Sequence, residues 1–366
     1  MAAPDGAGRL RIPYLLTAEN IVFELDGGVR KAPGASKVNS SALNSGNDIH
    51  GCYDAWFHGS SGTPAQHRLV NSTTKILKDD GDGTFTDLFT GLVAGAIPSY
   101  TMLEDLLIIG LDSTDAPKSW DGTTAQDLAG SPPSFSICTT HVNRVWAAGI
   151  ASRPSALAYS PLLDPENATG EGWGYINVDP SDGDRIMAIA SYKGELIVFK
   201  GPYKGSIHRI SGTAPTGSDG FRRTRWIEGI GAAGQNTLFT FGDDLGFMNF
   251  DASIHSLKAT AAYGDFNEAA LSRPIQSFLK RANFQRLKQA WAASKAGADA
   301  GYVLFSLPID ASTVNNAVIG MDFRFDPPRW KRWSAYDNYA MSLMSGIDPA
   351  DNNRRIYFAG GGDGDL

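Results

Sequence analysis

The sequence predicts an all-β fold, and two observations support that prediction. Glycine and proline account for 41 and 19 of the 366 residues, together roughly 16% where about 12% is average, which disfavours a helix-rich architecture. Apolar runs of strand length, such as residues 195–199 and 302–307, are bounded by turn-forming pairs. Because 42% of the residues are hydrophobic and no Gly-X-Y period is present, collagen and wholesale disorder are excluded.

The strands pair into hairpins that resemble one another. The clearest pairs are residues 75–78 with 84–88, 195–199 with 206–210, 237–241 with 246–251, and 302–307 with 317–325. Comparable positions recur at roughly 40 to 55 residues, the period of a propeller blade. No compositional linker divides the chain. We therefore expect residues 1–366 to form a single β-propeller domain of about six or seven blades.

One segment, residues 268–294, departs from the strand pattern. Its apolar residues repeat at helical spacing, first at Leu271, Ile275, Phe278 and Leu279 and then at Leu287, Ala290 and Trp291. This spacing predicts one or two short helices inserted between blades. Such helices would either cover a sheet edge or project as an interaction element.

The formal net charge is −7, spread along the chain without an acidic tail or a basic arm. This balance argues against tight binding of nucleic acid through a broad basic face. It suits a soluble surface, or one past which a polyanion slides without sticking. We predict no signal peptide at the N-terminus and no membrane-spanning segment.

Two cysteines and six histidines are the residues that would first suggest metal or redox chemistry. Cys52 and Cys138 lie far apart, so we interpret them as small core residues, with a single disulfide bridge or a reactive thiol as the alternative. The histidines show no HxH or HExxH spacing and are interpreted as ordinary loop and strand residues: His50, His58, His67, His141, His208 and His255.

An acidic turn superficially suggests a calcium loop. It contains Asp79, Asp80, Asp82, Thr84 and Asp87. An EF-hand loop needs glycine at its sixth position and glutamate at its twelfth, whereas counting from Asp80 places Phe85 and Gly91 there. We therefore predict a hairpin turn whose aspartates bond their own backbone.

Two further motifs match known patterns only in part. Residues 229–234 (GIGAAG) have the letters of a dinucleotide-binding loop but lack the βαβ surroundings and the acidic partner. Residues 113–120 (STDAPKSW) resemble a degenerate Asp-box, a blade-turn element of sialidase-type propellers, with Pro117 and Ser119 departing from its pattern. No GxSxG elbow or P-loop is present, and no carboxylate pair can be chosen for glycoside hydrolysis. We predict no catalytic, cofactor-binding or metal-binding residues.

Two clusters combine cations with aromatic residues, at residues 221–226 (FRRTRW) and 329–333 (RWKRW). Such clusters can form a stacking surface for single-stranded nucleic acid or sugar. They are also typical of strands whose aromatic side chains are buried and whose cations point outward. We expect such strands, with a protein-protein contact as the alternative.

Seven sequence blocks resemble a family of tailed-phage virion proteins. They are GGVRKAPG (27–34), TKILKDD (74–80), IPSY (97–100), HVNRVWAAG (141–149), VDPSDGDRI (178–186), KGELIVFK (193–200) and GDDLGF (242–247). The resemblance runs from about Gly28 to Phe278. It consists of the general character of these blocks and of their order, without a catalytic signature.

This resemblance implies a β-propeller component of a phage tail, such as the nozzle of a short-tailed phage or an accessory protein that plugs packaged DNA. It implies assembly in the host cytoplasm into a homo-oligomeric ring in the virion tail. Its partners would be other tail and neck proteins, namely the adaptor and the tail fibre or tip, with double-stranded DNA passing through without specific binding. The alternative function is a glycan-binding or glycan-hydrolysing propeller.

The end of the chain raises the question of how the propeller closes. Residues 356–366 form a strand and a glycine-rich corner with almost no strand after it. A closed propeller needs the missing strand from elsewhere. We expect residues 20–25 or another subunit to supply it.

Overall fold

The computed structural model describes residues 18–59, 62–112, 114–167, 172–263, 270–297, 300–339, 341–360 and 366. These residues form a six-bladed β-propeller with a few short helices, which confirms the predicted fold. Each blade is an antiparallel sheet of three or four strands, and a two-stranded sheet lies between the sixth blade and the first.

The strands of the first half follow one another without crossovers. Two short strands precede the blades, β1 (Ile21–Phe23) and β2 (Val29–Lys31). The first blade contains β3 (Ile49–Phe57), β4 (Ala65–Ser72), β5 (Lys75–Asp79) and β6 (Phe85–Phe89). The second contains β7 (Ser99–Leu103), β8 (Leu106–Gly110), β9 (Lys118–Trp120) and β10 (Ala125–Asp127). The third contains β11 (Ile137–His141), β12 (Arg144–Ala148), β13 (Ala156–Tyr159) and β14 (Gly174–Asn177).

The second half continues the same order. The fourth blade contains β15 (Arg185–Tyr192), β16 (Glu195–Gly201), β17 (Ser206–Ser211) and β18 (Arg222–Glu228). The fifth contains β19 (Leu238–Phe241), β20 (Asp244–Met248) and β21 (Ile254–Ser256). The sixth contains β22 (Trp291–Gly297), β23 (Ala300–Leu307), β24 (Ala317–Asp322) and β25 (Arg329–Arg332). The two-stranded sheet, which we call the closing sheet, contains β26 (Ser342–Ile347) and β27 (Arg354–Ala359).

Most of the helical residues lie between the fifth and sixth blades. The helices are α1 (Leu257–Tyr263) and α2 (Gln276–Leu279), with 3₁₀ turns at Leu43–Gly46, Gln235–Thr237, Arg273–Ile275, Phe284–Gln289 and Ser334–Tyr339. The prediction of short helices over 268–294 is therefore confirmed between residues 273 and 289, and residues 268–269 lie outside the described part. It is wrong from Trp291 onward, because Trp291 begins β22 and packs in the gap between the sixth blade and the closing sheet.

The core consists of seven clusters of described buried residues, one in each gap between neighbouring sheets. Leu196 and Val198 of β16 face the third blade, whereas Ile197 and Phe199 face the fifth. Successive side chains of a strand point to opposite faces of its sheet. Both faces of the fourth blade are covered by neighbouring blades, so the sequences of its central strands are continuous apolar runs.

The four hairpins expected from the sequence are all present. The acidic turn joins β5 to β6 with Asp79 opposite Phe85, and the turn after β19 places Phe241 opposite Asp244. Aspartate side chains close the first of these turns, as predicted: Asp79 accepts a hydrogen bond from the backbone N–H of Gly81 at 2.8 Å.

Both ends of the described chain take part in closing the ring. The backbone around β1 lies along β25, where the N–H of Asn20 donates to the carbonyl oxygen of Arg332 at 2.8 Å. At the other end, the N–H of Leu366 donates to Oδ1 of Asn39 at 2.9 Å, just before the first blade. β27 pairs with β26 and is not an unpaired tail. The expectation that residues 20–25 supply a strand beside β27 is wrong, because β1 pairs with β2 and residues 18–20, just before β1, bridge to Arg332 at the end of β25. That another subunit supplies such a strand stays a prediction.

A buried ion pair joins the first blade to the closing sheet. The Nε of Arg68 donates to Oδ1 of Asp54 at 2.9 Å, and its Nη2 donates to the carbonyl oxygen of Ile347 at 3.3 Å. The guanidinium also lies 3.8 Å from the ring centroid of Tyr357. Both charged side chains are less than 10% exposed. Burial alone would lower the pKa of Arg68, but the hydrogen bonds and the charge of Asp54 raise it overall.

Candidate functional site at the axial cavity

A cavity of about 610 Å³ opens at the end of the propeller where the first strands of the second to sixth blades begin. We call it the axial cavity. It is lined by residues 93–99, 111–112, 136–137, 149–151, 154, 185–187, 234–236, 286 and 288–289. These segments are the loops that lead into the first strands and two turns within blades. Binding sites of small ligands have volumes in this range.

Charge is unevenly distributed in the axial cavity. Its lining contains three cations, Arg185, Arg286 and Lys288, and one carboxylate, Asp112. Asp112 accepts hydrogen bonds from the backbone N–H groups of Thr114 and Asp115, both at 2.8 Å. Burial raises the pKa of Asp112, but these hydrogen bonds outweigh it and lower the pKa overall. The carboxylate is therefore ionised and already engaged by its own turn.

None of the three cations is neutralised within the part of the chain that the structure describes. The Nε of Arg185 donates to Sδ of Met187 at 3.4 Å, and no described carboxylate lies within 4.0 Å of Arg185, Arg286 or Lys288. Arginines elsewhere, such as Arg68 and Arg225, are held by carboxylates. The axial cavity is thus a positive region in a chain of net charge −7.

Arg185 follows a rigid charged corner, residues 178–184, between the third and fourth blades. Nζ of the fully buried Lys200 donates to both carboxylate oxygens of Asp182 at 2.7 Å and to the carbonyl oxygen of Val178 at 2.7 Å. Asp184 accepts three backbone N–H groups from residues 203–205. Paired in this way, a buried charge stabilises the corner at which it lies.

His208 lies behind the same corner, on β17. Its side chain is fully buried, and one ring nitrogen is 2.9 Å from Oγ of Ser206. Burial lowers the pKa of His208 to about 4, with the charges of Arg223 and Arg225 acting in the same direction and Asp179 opposing them. Asp179 binds both of those arginines. His208 is therefore neutral at physiological pH.

The cysteines lie in the core, as the sequence indicates. Cys52 packs between the closing sheet and the first blade, and Cys138 packs between the second and third blades. Both are free and buried, and burial raises their pKa values to about 12 and about 11 respectively. The alternatives of a disulfide and of a reactive thiol are therefore not supported.

The histidines and the Asp-box-like segment lie within the blades. Five of the six histidines lie in strands of four different sheets, and His58 lies in the loop after β3. No described group of three His, Cys, Asp or Glu side chains could hold a metal ion. Residues 114–120 form a turn and strand within the second blade, where Trp120 is buried against the first; Ser113 lies outside the described residues.

The glycines of residues 229–234 have a packing reason. A Cβ on Gly231 would lie 1.9 Å from the carbonyl oxygen of Lys200, and one on Gly234 would lie 2.8 Å from that of Lys288. This loop joins blades four and five, which are antiparallel sheets. The match of its sequence to a dinucleotide-binding loop is therefore explained by glycines that allow close backbone contact. Gly234 lines the axial cavity.

The two clusters of cations and aromatic residues form strands, as expected. Arg222 and Arg223 of β18 are exposed. In β25, Trp330 donates through Nε1 to the carbonyl oxygen of Leu271 at 3.0 Å. The expectation of outward cations is wrong for Lys331, which is 3% exposed and whose Nζ lies 4.9 Å from the ring centroid of Tyr302. Burial lowers the pKa of Lys331 to about 8.

The sequence does not reveal the axial cavity. Its three cations are spread over two segments about a hundred residues apart, Arg185 in one and Arg286 with Lys288 in the other, and neither segment matches a motif. The sequence indicates only that each of these two segments connects predicted strands, and not that the two segments meet. Convergence of these residues depends on the closed ring.

Comparison with known proteins identifies no family for this chain. No family model matches the chain, and no curated protein matches it. A solved structure described as "YCF48 bound to D1 peptide" is similar over 81% of this chain and 84% of that chain, with 10% sequence identity and a TM-score of 0.45. A likeness this distant carries no information on function. No helix in the described residues has the length and apolar character needed to cross a membrane.

Proposed function

We propose that this chain is a structural virion protein of a tailed bacteriophage. It would be an oligomeric tail or nozzle component that extends or closes the DNA channel below the portal and adaptor. The proposal starts from the ordered sequence blocks between Gly28 and Phe278, which resemble virion proteins of this kind. It assigns the protein a mechanical and electrostatic role, without turnover.

The position of these blocks in the fold is the observation that supports the proposal best. HVNRVWAAG (141–149) forms the turn after β11 and all of β12, KGELIVFK (193–200) contains β16 except its last residue, and GDDLGF (242–247) turns into β20. VDPSDGDRI (178–186) forms the charged corner between two blades. The resembling residues thus build the frame of consecutive blades, as expected for a scaffold.

The charge of the chain is compatible with this role. A net charge of −7 without a basic arm gives weak, non-specific contact with DNA, because affinity for the phosphate backbone comes from neutralising cations. We expect no retardation of duplex DNA by the purified protein in a gel-shift assay at physiological salt. Stable retardation would contradict a channel component past which DNA slides.

Oligomeric state tests the proposal directly. The purified chain, alone and with the proteins encoded by the two flanking genes, is measured by size-exclusion chromatography with light scattering and imaged by electron microscopy. We expect a ring of defined rotational symmetry and flanking genes for capsid, portal or tail proteins. A chain that stays monomeric with those proteins, and whose gene has no such neighbours, would contradict the proposal.

The second candidate is a glycan-binding or glycan-hydrolysing propeller. The axial cavity favours this second function, because the cavity has the volume of a ligand-binding site and both polar and apolar residues line it. Incubation with cell-surface polysaccharide, followed by chromatography of released sugars, distinguishes the two candidates. Release of sugar by a monomeric chain would support this second function against the first.

A further inference from the structure

We propose that the axial cavity binds a small organic anion, a ligand with a carboxylate or phosphate on a ring-containing body, through Arg185, Arg286 and Lys288. The proposal does not depend on the virion function. Three cations line one cavity without a carboxylate partner among the described residues. Carboxylate and phosphate are the groups that arginine binds most strongly, by paired hydrogen bonds.

The backbones that carry the cations are fixed in place. Arg185 lies between Asp184, which accepts three backbone N–H groups, and Ile186, whose N–H donates to the carbonyl oxygen of Pro154 at 2.9 Å. Site residues on rigid elements lose less entropy when a ligand binds.

The segment with the other two cations is fixed as well. Leu287, between Arg286 and Lys288, is 2% exposed and anchors the 3₁₀ turn in the core. The carbonyl oxygen of Gln289 accepts a hydrogen bond from Nδ2 of Asn315 at 2.7 Å. The cavity is therefore formed before any ligand arrives.

The remaining lining indicates the body of the ligand. Ile97, Pro98 and Ile150 provide an apolar wall, and Asn236 provides a neutral amide. Such a wall packs against a ring, and an amide can bind hydroxyl groups. Three cations against one carboxylate leave two positive charges, which suit a phosphate monoester of charge about −2 or a carboxylate. Sugar acids and nucleotides are the two sources of this chemistry.

The experiment measures binding by isothermal titration calorimetry on the full chain. The probes are glucuronic acid and adenosine monophosphate, each paired with its uncharged counterpart, glucose and adenosine. The variants are Arg185→Gln and Arg286→Gln. The matched control is Lys204→Gln, which removes one exposed positive charge from a neighbouring turn outside the cavity. Thermal unfolding verifies that each variant folds.

We expect one or both anions to bind, and each arginine variant to weaken that binding by at least about tenfold, the effect of losing one hydrogen bond to a charged group. The uncharged probes and the Lys204→Gln variant should show no comparable effect. Which anion binds identifies the source of the ligand. Equal binding of the uncharged probe, unchanged binding in both arginine variants, or no binding of either anion at millimolar concentration would overturn the proposal.

Discussion

Replacement of Arg68 by methionine tests how the propeller closes. Arg68 is the residue of the first blade that contacts Asp54, the carbonyl oxygen of Ile347 and the ring of Tyr357. Methionine retains an unbranched apolar stem but removes the charge and every donor. Asp54 would then remain buried with Nε2 of Gln66, at 2.8 Å, as a neutral partner.

The expected cost follows from the burial of the pair. Removing one partner of a buried ion pair destabilises a protein by about 3 to 5 kcal/mol, because the other charge stays uncompensated. Unfolding entropy is roughly 2.1 cal/mol/K per residue, which for 366 residues gives about 0.8 kcal/mol/K. The melting temperature of Arg68→Met should therefore fall by about 4 to 6 °C if the closed ring unfolds as one unit.

Calorimetry of the wild type and two variants measures this effect. Arg281→Met is the matched control, because Arg281 also binds a carboxylate, that of Asp310, but both side chains are about half exposed. Exposed pairs contribute little to stability, because water and salt screen their charges. A melting temperature for Arg68→Met no lower than that of the control would refute the reasoning. Arg68→Lys, which keeps the charge, serves if Arg68→Met does not fold.

Three further predictions concern single residues. Gly231→Ala should lower the melting temperature strongly, because its Cβ would lie 1.9 Å from a backbone oxygen, whereas Gly34→Ala, with open space around it, should not. The pKa of His208 is about 4 in the fold against 6.5 in the unfolded chain, so unfolded chains bind the proton first and stability falls as the pH drops from about 6.5 to about 4. His208→Gln should flatten that part of the stability profile in urea titrations. Cys52 and Cys138 should resist a thiol reagent in the native protein and react after denaturation, since both are buried with raised pKa values; rapid labelling without unfolding would contradict this.

Local features of the fold are predictable because they depend on neighbouring residues. An aspartate two residues before a glycine or threonine closes its own turn, and Asp79 and Asp82 do so on either side of Gly81. Alternating or continuous apolar runs define strands wherever they are long enough. The helical spacing of Leu287, Ala290 and Trp291 is misleading because the apolar run is short. A run of this length fits both a turn of helix and the start of a strand.

Closure of the ring could not be predicted, because it depends on contacts between residues far apart in the sequence. The carbonyl oxygen of Arg332 binds the N–H of Asn20, and the N–H of Leu366 binds the side chain of Asn39. Each of these contacts joins segments more than 300 residues apart, and none leaves a pattern in either segment. The axial cavity likewise combines residues from five blades that are distant in the sequence.

Ion pairing distinguishes Arg68 and Lys200, which stabilise the frame of this propeller, from the three cations that line the axial cavity. Arg68 is enclosed by a carboxylate, a carbonyl oxygen and an aromatic ring, and Lys200 by Asp182 and two carbonyl oxygens. Arg185 lies at the end of the corner that Lys200 stabilises, yet it lines the cavity with no described carboxylate within 4.0 Å. The same residue type should therefore give opposite results in the two assays. Arg68→Met should lower the melting temperature, whereas Arg185→Gln should leave the melting temperature near that of the wild type and weaken anion binding by at least about tenfold. If Arg185→Gln were as destabilising as Arg68→Met, Arg185 would stabilise the frame of the propeller. That result would contradict the proposal that Arg185 binds an anion in the axial cavity.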